Sequence, residues 1–65
     1  MGYDDYIQHN LNLFNEGLIN ERVYIENMID IERDYIKELQ GVERLTNEQK
    51  EKLKSANTRL DKWIN

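Results

Sequence analysis

The chain has 65 residues, enough for one domain at most, and a domain this short buries only about 60% of the surface its unfolded chain exposes. It has no cysteine and a single histidine, His9, so a disulfide framework, a thiolate metal site and a zinc site are all excluded. Its net charge of −4, with 38% apolar and 34% charged residues, suits a folded helical domain and not a disordered segment.

The first helix is predicted over about 4–15. Asp4 and Asp5 suit the positive N-terminal end of a helix dipole. Tyr3, Ile7, Leu11 and Phe14 recur on one helical face, which Tyr6 and Leu13 widen. His9 falls near the outer face and is expected at the surface. Gly17 follows the pattern and precedes Leu18, the signature of a left-handed C-cap; Leu18 is expected to fold back on Leu13.

The second helix is predicted over about 21–40, with Asn20 as its N-cap and an Ile19–Tyr24 staple. Tyr24, Ile25, Met28, Ile29, Ile31, Tyr35, Ile36 and Leu39 fill an arc of roughly 160°, too wide for one neighbour. Glu32 sits within that arc. Burying a carboxylate without a partner costs several kcal/mol. Glu32 is therefore expected where the seam opens, partly in water or paired with Lys54. The alternatives are a hydrogen bond from Tyr3 or Tyr6, or a role as an anchor for a partner. Gly41 before Val42 predicts a second left-handed cap, with Val42 against Ile36.

The third helix is predicted over about 47–64. Thr46-Asn47-Glu48-Gln49 has capping-box spacing, and Leu53, Ala56, Leu60, Trp63 and Ile64 form a narrower stripe. With no proline to break a helix and short connections between them, the three helices predict an all-α, three-helix antiparallel (up-down-up) bundle. A simple antiparallel register sets Leu11 opposite Tyr24, Ile7 opposite Met28, Leu53 or Lys54 level with Glu32, and Trp63 level with Tyr24.

Charge is unevenly spread. Residues 1–20 carry −3, residues 21–41 carry −3 and residues 42–65 carry +2. A nucleic-acid binder usually has a strong basic excess, so that function is the alternative, with Asn47, Gln49, Lys50 and Lys54 of the third helix as the contacts. No phosphate-binding glycine loop, His-Glu-x-x-His motif or Glu-x-x-His pair is present. Asp30-Ile31-Glu32-Arg33-Asp34 begins like a calcium loop, but Tyr35 stands where that loop needs glycine. The chain is therefore expected to be no enzyme and to use no cofactor and no metal. No apolar run approaches the ~20 residues of a membrane span, so the expected place is the cytoplasm, of a host cell if the source is a phage.

The expected function is protein–protein contact, as an adaptor or inhibitor. Val23, Asn27, Ile31, Glu32 and Tyr35 are the candidate partner-binding residues: Val23, Asn27, Ile31 and Tyr35 share the flank of the second helix that its neighbours could leave bare, and Glu32 is the possible anchor. Self-association into a structural homo-oligomer is the third reading. Asn15-Glu16-Gly17-Leu18-Ile19-Asn20-Glu21 followed by Tyr24 resembles the glycine-turn hairpin of several short bacterial helical modules. The likeness covers about Leu11 to Tyr24 and is one that any glycine-capped helix followed by an asparagine-capped one would share. Usage rich in Asn, Ile, Lys and Glu suggests a low-GC bacterial or phage source.

Overall fold

The computed structural model describes residues 2–65. They form α1 (Tyr3–Asn15), α2 (Glu21–Gln40) and α3 (Asn47–Ile64), with no strand among the described residues. Each helix starts on local polar chemistry. The Gly2 N–H donates to Oδ2 of Asp5 at 3.0 Å, and Asp4 and Asp5 lie in the first turn. Asn20 Oδ1 accepts from the Val23 N–H at 2.9 Å. Thr46 and Gln49 cap α3 reciprocally: the Gln49 N–H donates to Thr46 Oγ1 at 3.1 Å and the Thr46 N–H to Gln49 Oε1 at 2.9 Å.

The helix ends differ. Gly17 has φ +75°, its N–H donates to the Phe14 carbonyl at 3.1 Å, and the Leu18 N–H donates to the Leu13 carbonyl at 3.0 Å. Those two bonds are the Schellman pattern expected of a left-handed glycine. The Leu18 side chain itself remains 67% exposed. Gly41 departs from expectation, with φ −76° and ψ −9°, in the right-handed region. Its N–H reaches the carbonyls of Lys37 and Glu38, and the Val42 N–H reaches that of Leu39 at 3.2 Å. The last turn tightens in 3₁₀ fashion, so α2 stops without a positive φ.

The helices pack as a bundle around α2. Against α1, the Phe14 and Tyr24 rings stack at 4.7 Å, as do Tyr3 and Tyr35 at 4.3 Å. Against α3, Tyr24 meets Trp63 edge-on at 6.0 Å. The expected level of Trp63 with Tyr24 therefore holds, and the ring stacked on Tyr24 from α1 is that of Phe14. Asn10 is buried between α1 and α2, where its Nδ2 donates to the Tyr24 carbonyl at 3.0 Å and its Oδ1 accepts from Asn27 Nδ2 at 2.9 Å.

Among the described residues the backbones of α1 and α3 approach α2 and not each other, and the Tyr3 and Arg59 side chains span the gap between them. The result is flat, 41 × 27 × 15 Å, with a radius of gyration of 12.8 Å. A compact chain of this length has about 11 Å. The apolar core is correspondingly thin: Met28, Ile36 and Leu39 of α2 and Ala56 of α3 are its buried members.

Candidate functional site

Glu32 falls on the seam of α2 because Ile25, Met28, Glu32, Tyr35 and Leu39 repeat at spacings of three and four, the positions that face neighbouring helices. It is 0% exposed, which overturns the expectation of a partly wet carboxylate. Its partner is Arg59 and not Lys54: Arg59 Nε donates to Glu32 Oε1 at 3.0 Å. The Tyr3 hydroxyl donates to the same oxygen. Oε2 is buried with no partner. The charge is thus paired, but one carboxylate oxygen remains without a hydrogen-bond donor, a costly arrangement in a low-dielectric interior.

Tyr3 is the hinge of this cluster. Its ring lies against Tyr35, and the Arg59 guanidinium sits 5.5 Å from its centroid, within cation–π range. Burial, helped by the hydrogen bond to Glu32 and the Glu32 charge, pushes the Tyr3 phenol from 10.0 up to about 12. For Arg59, burial acts to lower the guanidinium, but the Glu32 hydrogen bond and charge outweigh it and hold it above its ordinary value. One side chain from each helix therefore meets at a point that the α1 and α3 backbones do not close.

The candidate partner-binding residues are in different situations. Val23 is half-buried. Asn27 is half-buried and bonded to Asn10, Glu32 is buried, and Tyr35 carries the Tyr3 ring. Ile31 and Tyr35 do line an open groove of about 500 Å³, together with Tyr3, Tyr6, Leu39 and Val42. Tyr6 is 49% and Val42 41% exposed there. Asp34 and Glu38 stand in the same lining, and no lysine or arginine does. A second groove, of about 410 Å³, runs between α1 and α3 with Ile7, Met28 and Trp63 as its apolar walls. Of the alternative set on α3, Asn47, Lys50 and Lys54 are exposed, while the Gln49 side chain is engaged in capping.

Two residues escaped the sequence reading. Asn10 is one, although Tyr3, Ile7, Asn10 and Phe14 follow the three-four spacing of a seam better than a line through Leu11 does. Arg59 is the other; it lies at the edge of the α3 stripe, beside Leu60 and three residues after Ala56. Among the described residues no group of three or more His, Cys, Asp or Glu side chains could hold a metal ion, and no helix is long and apolar enough to cross a membrane. No protein-family model matches the chain, and no curated protein or solved structure matches it either.

Proposed function

We propose that this protein is a non-enzymatic interaction module, an adaptor or inhibitor that meets another protein with apolar and tyrosine helix surface. The observation that carries the reading is surface area. The chain exposes 5196 Å² at a mass of 7.9 kDa. A compact monomer of that mass exposes about 4,400 Å². The excess, about 800 Å², is what one partner contributes to a standard protein–protein interface. It accompanies the flat arrangement of the three helices, 41 × 27 × 15 Å.

The direction of the helices is part of the same reading. Tyr3 pairs with Tyr35 and Phe14 with Tyr24, so partners descend along α2 as they ascend along α1. Tyr24 pairs with Trp63 and Glu32 with Arg59, which supports the same reversal between α2 and α3. We read the bundle as antiparallel, up-down-up, with two side helices on one central helix.

Two measurements test this together. Light scattering across concentration is expected to give the mass of one chain throughout. Capture from source cells is expected to retain a protein that a Tyr6→Ser/Val42→Ser variant releases. A mass that doubles on concentration would make a second copy the partner. Retention on DNA at low salt, lost with Lys50→Glu/Lys54→Glu, would move the function to α3.

A further inference from the structure

The groove between the start of α1 and the second half of α2 has a definite chemistry. Tyr3, Tyr6, Tyr35, Ile31, Leu39 and Val42 make its apolar and aromatic lining. Its charged members are Asp34 and Glu38, both exposed, and among the described residues neither takes part in an ion pair. They stand four residues apart on α2, where like charges face each other and repel. Nothing basic lines the groove to relieve them. From Ile31 to Val42 the groove follows α2 and the turn after it for about three turns of helix.

From this we infer that the groove takes a basic amphipathic helix of a partner protein, about three turns long, with an apolar face and two arginine or lysine side chains spaced four apart. The inference rests on the interaction reading above and assigns that interaction to one groove and one class of partner. The apolar face of the incoming helix covers Ile31, Val42 and the Tyr6 ring, with Leu39 buried at the groove floor. Its two cations reach Asp34 and Glu38, whose spacing along α2 matches i,i+4 on the partner. The Tyr6 ring, exposed at the groove, adds a face on which an arginine can lie. The acidic character of residues 1–41 favours encounter with a basic segment, because complementary charge raises the rate of association.

The probe is a capped synthetic helix of about 15 residues, long enough to hold helix in water, with leucines on one face and arginine pairs four apart beside it. Its control carries glutamate in place of every arginine. Titrated into the isotope-labelled full chain, the arginine peptide is expected to shift the amide signals of Tyr6, Ile31, Tyr35, Leu39 and Val42. The glutamate peptide is expected to leave them in place. Asp34→Lys/Glu38→Lys is expected to weaken the arginine peptide about tenfold or more, and added salt to weaken it further. Asp34→Asn/Glu38→Gln, which cannot introduce new repulsion within the fold, is expected to weaken it less and in the same direction.

Equal affinity for both peptides, no binding of either, or shifts centred on α3 would overturn the assignment. These outcomes are separable from failure of the broader reading. A captured native partner that binds the charge-reversed chain as well as the wild type ends this proposal and leaves the interaction module standing. A chain that retains no protein from its source ends the module itself.

Discussion

Glu32 is a buried acid that its neighbours satisfy on one oxygen only, and its two partners differ in how much they contribute. Replacing a buried ion pair with apolar side chains is often neutral or stabilising, whereas removing one partner strands the other. Glu32→Leu is therefore expected to leave stability unchanged or to raise it by about 1 kcal/mol, because Tyr3 and Arg59 can turn to water. Arg59→Met is expected to cost about 2 kcal/mol, less than for a fully buried pair because the Arg59 side chain is 41% exposed. Urea unfolding of the two variants near neutral pH checks the order. Tyr3 supplies a pH signature. Its folded value lies above its ordinary one, so its contribution is fully present below pH 10.0 and is lost as the pH rises toward 12. Because the Tyr3 hydroxyl is only partly buried, solvent screening brings the loss below what the full shift implies, to about 1 kcal/mol. Tyr3→Phe should abolish this alkaline step, as read by unfolding at a series of pH values. The sequence marks Glu32 as anomalous but points to the wrong cation. Helix side chains lean toward their own N-terminus. In the antiparallel arrangement proposed above, Glu32 would lean along α3 toward its end and Arg59 would lean back to meet it, so a register counted from backbone positions would miss both displacements.

At the scale of the helix, local signals are the readable ones. Asn20 and the Thr46–Gln49 pair do what their spacing predicts, because a cap depends on residues within one turn. The two glycine caps look alike in sequence and differ in structure. Only Gly17 has positive φ, +75°. A Cβ added at Gly41 would lie 3.5 Å from the Glu38 carbonyl oxygen, an ordinary contact. Gly17→Ala is thus expected to cost about 1 kcal/mol, and Gly41→Ala to be neutral or to stabilise by about 0.5 kcal/mol through a stiffer unfolded chain. Paired thermal melts decide it. What the sequence could not signal was which glycine would turn left, since both follow a helix and precede an apolar residue. Asn10 was hidden for a related reason. A period drawn through apolar residues passes over a polar one, even where, as here, its hydrogen bonds to Tyr24 and Asn27 let it stand in the seam.

Across the whole molecule, the all-helical class and the central place of α2 follow from hydrophobic periodicity, and α2's wide arc does require two neighbours. The openness between those neighbours does not follow. An apolar pattern tells which face seeks cover, not whether the helices on either side close over it. A chain with a thin core and a large surface is expected to be marginal: urea unfolding of the isolated protein should give about 3 kcal/mol in water. A tightly bound partner should raise the melting temperature with its concentration, by mass action.

Tyr3 and Arg59 meet across the gap between α1 and α3, whose backbones approach each other nowhere among the described residues, while the α1 backbone approaches that of α2. In the antiparallel arrangement proposed above, the protein is two helical hairpins that share one member, and α1 is expected to lift away while α2 and α3 stay together. Amide hydrogen exchange would register this as two tiers. The amides of α1 would exchange through a partial opening, and those in the middle of α2 only through complete unfolding. A helix seated in the groove between α1 and α2 would merge the two tiers into one.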